Sequence, residues 1–151
     1  MVAPLLQAHV DIDAPVTTVW QLISDLRRMP RWSPQCRWMK PLGPVRQGTR
    51  TINLNRRKRM FWPTTCTVVE IVPERKLAFR VDTNNTIWSY ELEPGGAGTR
   101  LIESRHAENG VTAFSNLSVN ALFGGTTNFE RELLDGMNAS LARIKAAAET
   151  A

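Results

Sequence analysis

Cysteine is nearly absent from this chain: 151 residues hold two, Cys36 and Cys66, and neither has a second cysteine close by. Isolated thiols of this kind exclude a disulfide framework, a zinc ribbon and a C-x-x-C redox motif. They predict reduced, half-buried side chains in a cytoplasmic protein. Histidine is equally scarce. His9 and His106 fit no known ligand spacing, so neither a metal site nor a cofactor is expected. No Gly-x-Ser-x-Gly elbow and no glycine-rich phosphate loop occurs, which removes the usual signatures of serine hydrolases and nucleotide binders. No apolar run approaches the roughly 18 residues of a membrane-spanning helix. Met1–Leu6 has neither the basic start nor the apolar stretch of a signal peptide. Repeats, low-complexity tracts and linkers are missing too, which leaves one domain over residues 1–151.

What the chain does have is an ordinary globular balance, 42% apolar and 22% charged, too apolar for disorder. A domain of this length buries about 70% of its unfolded surface, enough for a core and a cavity. Five tryptophans stand against one tyrosine. Rings that large are seldom fully buried, so the excess points to an aromatic-lined concavity beside the core. Trp32 reads as a structural plug, while Trp38 and Trp62 fit either the concavity or the outer face. The net charge of +5 gathers in two places, Arg27, Arg28, Arg31, Arg37 and Lys40, then Arg56-Arg57-Lys58-Arg59. The second run falls between two strand-like segments and reads as a solvated hairpin tip. Its functional alternative is a protein or RNA interaction surface, and nucleic acid is not the expected partner.

The order of elements is restrictive. Residues 5–12 alternate weakly and predict a strand. Asp13-Ala14-Pro15 predicts a helix start, with Asp13 capping and Pro15 in the first turn; Val16, Val19, Trp20 and Ile23 then share one face. Ser24-Asp25 breaks that helix, and a second short turn over 26–29 stops at Pro30. Strands follow over 36–42, 48–56, 62–72, 76–82, 86–93 and 99–107, parted by turn residues such as Gly43-Pro44, Asn84-Asn85 and Gly95-Gly96. Gaps this short imply an antiparallel meander. Residues 108–125 form a long apolar connection, read as a lid or short extra helix with Gly124-Gly125 as a hinge. Thr127 to Glu130 spells a capping box, and Phe129, Leu133, Leu134, Met137, Leu141, Ile144 and Ala148 mark one face of a helix of about six turns. Only that helix is long enough to cover the sheet.

Several segments carry a family resemblance: Ile12-Asp13-Ala14-Pro15, Val19-Trp20, Ile23-Ser24-Asp25, Pro30-x-Trp32-Ser33-Pro34, Trp88-x-Tyr90-x-Leu92-Glu93-Pro94 and Gly98-Thr99-Arg100. With the element order, they make the chain resemble the START-like polyketide cyclase/dehydrase and lipid-transport (SRPBCC) superfamily, the birch-pollen-allergen-like proteins among them. The C-terminal Leu141–Glu149 stretch is similar to that of actinobacterial members. The likeness spans nearly the whole chain and is weakest over 108–125. It implies an α+β helix-grip fold: a curved seven-stranded antiparallel sheet around a long C-terminal helix, with two short helices after the first strand. It also implies an internal cavity for an apolar ligand, but no particular chemistry, since members bind polyketides, sterols, lipids and plant hormones.

Strand parity narrows the candidates. Leu77, Phe79 and Val81 share a face, as do Trp88, Tyr90 and Leu92. Pairing Leu92 with Leu101 puts Tyr90 opposite Glu103 and Trp88 opposite Arg105; a one-residue slip would turn Arg100, Ile102, Ser104 and His106 inward instead. The first register keeps Leu101 in the core and is preferred. Glu103 and Arg105 then point into the concavity. Structurally they read as a solvated ion pair at its mouth. Functionally they read as ligand-orienting groups, or as a catalytic set in which Glu103 takes a proton alpha to a carbonyl while Arg105 and Tyr90 stabilise the enolate. The expected ligand-binding residues are Phe79, Trp88, Tyr90, Leu101, Glu103, Arg105, Phe114, Phe129, Leu133 and Met137. The leading expectation is a cavity that binds a polyketide, fatty acyl or other lipid-like metabolite, in a monomer or homodimer. The alternatives are a polyketide aromatase/cyclase or dehydratase and the interaction module of the basic run.

Overall fold

A computed structural model describes residues 5–107 and 126–151. Strand β1 (Leu5–Ile12) leads into helix α1 (Val16–Ile23), a 3-10 turn (Leu26–Arg28) and helix α2 (Met29–Trp32). Six strands follow: β2 (Cys36–Pro41), β3 (Arg50–Arg57), β4 (Met60–Val72), β5 (Lys76–Val81), β6 (Thr86–Gly95) and β7 (Gly98–His106), and helix α3 (Thr126–Glu149) ends the chain. One curved antiparallel sheet of seven strands results, in the order β1-β7-β6-β5-β4-β3-β2. This is the helix-grip fold. Four successive hairpins each place a residue of positive φ at the tip, Lys58, Glu74, Asn85 and Gly96. Such a residue matches a tight turn to the right-handed twist of its strands, at a cost that glycine and asparagine largely escape.

The entry to the fold differs from expectation in three details. Pro15 itself precedes α1, and no side chain caps that helix; Asp13 instead donates its backbone N–H to Glu149 Oε2 at 2.8 Å. Pro30 opens α2 rather than stopping a turn, its missing N–H being harmless in a first turn. Helix α3 already contains Thr126, one residue earlier than expected, and Glu130 reaches Arg105 on the sheet.

The core gathers Val19, Ile23, Leu26 and Trp32 from the short helices, Leu77, Leu92 and Leu101 from the sheet, and Leu141, Ile144 and Ala148 from α3. Helix α3 runs against β1, α1, α2 and β7, while its backbone stands off from β3 to β6. Polar ties fix its C-terminal end: Lys145 Nζ donates to the Asp11 carbonyl at 2.8 Å and Arg143 to the Trp32 carbonyl at 3.1 Å. Edge strand β2 is blunted by a bulge between Cys36 and Trp38 and by Pro41, devices that discourage pairing with another chain. The bulge buries Cys36 and Met39 together and leaves Trp38 exposed on the outer face. Among the described residues no helix is long and apolar enough to cross a membrane.

The start of β7 leaves no room for a side chain. A Cβ on Gly98 would collide with the backbone carbonyl of Ile12, whereas one on Gly95, its hairpin partner, would meet nothing within 4 Å. Gly98→Ala is therefore expected to cost about 2 kcal/mol or more, and Gly95→Ala less than about 1, in paired denaturant melts. Equal costs would contradict the close packing of β1 on β7.

Candidate functional site

Where α3 stands off the sheet, a cavity of about 730 Å³ remains. Phe79 and Val81 of β5 and Trp88 of β6 form its apolar floor, Met39 of β2 and Trp62 of β4 one flank, and Phe129, Leu133 and Met137 of α3 the roof. The roof residues sit four apart, on one side of the helix. The sheet register is the one that puts Leu92 opposite Leu101, so Tyr90 faces Glu103 and Trp88 faces Arg105.

Eight of the expected residues line this space: Phe79, Trp88, Tyr90, Glu103, Arg105, Phe129, Leu133 and Met137. Leu101 does not. It lies two residues along β7 from Glu103, toward the end of the sheet where α3 packs directly, and is fully buried in the solid core. Phe114, with the proposed lid over 108–125, falls outside the described residues.

Glu103 and Arg105 are neither solvated nor paired with each other. Glu103 is 5% and Arg105 2% exposed. The Tyr90 hydroxyl neighbours the Glu103 carboxyl, and one carboxyl oxygen, Oε1, has no hydrogen-bond partner among the described residues. Burial pushes Glu103 up to about 8, against which the neighbouring Tyr90 hydroxyl works; burial and the adjacent carboxyl hold the Tyr90 phenol well above its usual range. At neutral pH the pair therefore carries one proton on the carboxyl and one on the phenol. Arg105 reaches Glu130 of α3 instead, at 3.2 Å, and Arg57 of β3 reaches Glu132 at 2.6 Å. Two ion pairs thus join the N-terminal half of α3 to the sheet across the cavity. The basic run forms the β3–β4 tip beside the mouth, with the Arg56 guanidinium donating to the Lys58 carbonyl and resting over the Phe61 ring.

One wall was not foreseen. On β3 the inward side chains are polar, Thr51, Asn53, Asn55 and Arg57, while Ile52 and Leu54 face outward at 40% and 37% exposure. Thr64 and Cys66 of β4 lie opposite Asn53 and Thr51. Only the alternation Thr-Ile-Asn-Leu-Asn hinted at this, and it suggests the opposite face. Both cysteines are buried and border the cavity, and burial raises each thiol to about 11, so neither is a thiolate at neutral pH. Among the described residues no three metal-ligating side chains converge.

Glu103 holds its proton more tightly folded than unfolded, where the usual value is 4.5. Its contribution to stability is complete below that pH and is lost as pH rises toward about 8. Glu103→Gln, neutral throughout, is expected to match the parent near pH 4 and to exceed it increasingly above, by roughly 1.4 kcal/mol per pH unit within the window. Melts at pH 4, 6 and 8 check this, and a difference independent of pH would contradict it.

Solved structures share the fold. The di-domain ARO/CYC StfQ of the steffimycin biosynthetic pathway superposes with a TM-score of 0.77 at 14% identity, covering 97% of this chain and 51% of its own, so the chain spans about half its length. The Polyketide_cyc-like protein Cgl2372 from Corynebacterium glutamicum gives 0.63 at 25% identity, covering 97% and 91%. Protein Ms6760 from Mycobacterium smegmatis gives 0.68 at 17%, covering 95% and 90%. Comparison with curated proteins returned no match. The decisive finding is a family match over residues 4–149, and on it this chain belongs to the polyketide cyclase / dehydrase and lipid transport family.

Proposed function

We propose that this protein binds an apolar small molecule, a polyketide, fatty acyl or other lipid-like metabolite, between the sheet and α3. The cavity carries this reading. Its volume of about 730 Å³ lies inside the range of small-molecule sites, about 300–1,000 Å³, and it combines aromatic and aliphatic walls with a few fixed polar groups. Val81→Trp would fill the floor. It is expected to weaken binding of the dye N-phenyl-1-naphthylamine at least about tenfold while leaving the thermal midpoint nearly unchanged. Undiminished dye binding in that variant, or native mass spectrometry of the parent showing no retained apolar molecule, would defeat the reading.

A second reading, cyclase or dehydratase chemistry, draws support from the family and from Glu103. A buried carboxyl that titrates near 8 beside a phenol is matched to proton transfer close to neutral pH. Its resting form is the acid, so in this reading Glu103 first donates its proton to a substrate carbonyl oxygen. As the carboxylate it then takes the proton alpha to that carbonyl, which leaves a neutral enol and restores the acid, with Tyr90 and Arg105 holding the enol oxygen. Glu103→Gln and Tyr90→Phe are each expected to lower turnover of a poly-β-keto chain by about 100-fold or more while the dye still binds. Unchanged turnover in Glu103→Gln would remove that role.

A further inference from the structure

The reversed strand β3 marks a site of its own. Asn53 is spent: its Oδ1 accepts from Thr51 Oγ1 at 2.9 Å, and its Nδ2 donates to Thr64 Oγ1 and Cys66 Sγ, both at 3.2 Å. Asn55 gives both hydrogens of Nδ2, to the Trp62 carbonyl at 3.3 Å and to Thr64 Oγ1 at 2.9 Å. Its Oδ1 has no donor among the described residues. Thr64 Oγ1 accepts twice, which uses both its lone pairs, yet its own hydrogen has no acceptor among the described residues. Asn55 and Thr64 both border the cavity. One spare acceptor and one spare donor therefore stand side by side, held by residues whose other bonds are already made.

A carbonyl oxygen would answer only the donor, and an ammonium only the acceptor. A hydroxyl answers both. We propose that Asn55 Oδ1 and the Thr64 hydroxyl form a subsite for a hydroxyl group of the guest, the guest O–H donating to Asn55 and its oxygen accepting from Thr64. The proposal rests on the cavity reading and adds the chemistry that orients the guest. It also accounts for the exposure of Ile52 and Leu54, since the strand turns its apolar side chains to water in order to aim its polar ones inward.

The test compares two guests of nearly one shape, 2-hydroxyanthracene and 2-methylanthracene, by competition against N-phenyl-1-naphthylamine. The parent is expected to prefer the hydroxyl guest by about tenfold, because a site built for a hydroxyl leaves its own polar groups unmet by the methyl guest. Asn55→Leu and, separately, Thr64→Val are expected to erase that preference while keeping or improving affinity for 2-methylanthracene, which also reports that each variant is folded. Equal affinities in the parent, or a preference that survives both substitutions, would overturn the subsite and leave the cavity reading standing. Failure of both guests to displace the dye would overturn the subsite together with that reading.

Discussion

Leu141, Ile144 and Ala148 share one core with Leu92 and Leu101, and the character of the domain is decided by where that contact stops. A straight helix laid along a curved sheet can touch it closely over only part of its length. Here the contact is made along β1 and β7, and β3 to β6 bend away beneath the N-terminal half of α3. The space so formed is as much a product of where the helix's contacts end as of any residue lining it. Filling it would need side chains longer than the Leu133 and Met137 present in the roof.

With apolar contact exhausted, the N-terminal half of α3 is joined to the sheet by charge. Arg105–Glu130 and Arg57–Glu132 bridge sheet and helix where packing does not. A buried ion pair returns little net stability, because desolvating its members offsets most of their attraction, but it is exacting about geometry. The same economy governs the walls. Glu103 keeps its proton because burial disfavours its charged form, while Arg105, two residues along the same strand, is met by a carboxylate that arrives from the helix. Two neighbouring side chains on one strand face thus meet opposite electrostatic surroundings.

Most of the architecture was legible because it rests on local signals: turn residues separate the strands, and a single hydrophobic pairing, Leu92 with Leu101, settles the register that puts Tyr90 against Glu103. The failures share a physical origin. Asp13 and Pro30 sit within a residue or two of an element boundary, where several capping solutions have similar energies. The partner of Arg105 could not be read from β7, because it comes from a helix 25 residues on. Leu101 shared the parity of the lining residues, yet parity says which face a side chain takes and nothing about how far along that face the cavity extends. Strand β3 misleads outright, since its apolar residues face water and its asparagines face inward.

The pairing of β1 with β7 has a consequence for the way the chain is made. Gln7 bonds to Ser104 across 97 positions, whereas every other strand pairs with its immediate neighbour in sequence. Closing so long a loop carries the largest entropic cost in the sheet, and contacts so distant in sequence slow folding. During synthesis β1 has no partner until β7 has followed it, and α3, which ties down the Asp11–Asp13 segment, comes later still. Within this domain β1 therefore stays unpaired until the other six strands have been made.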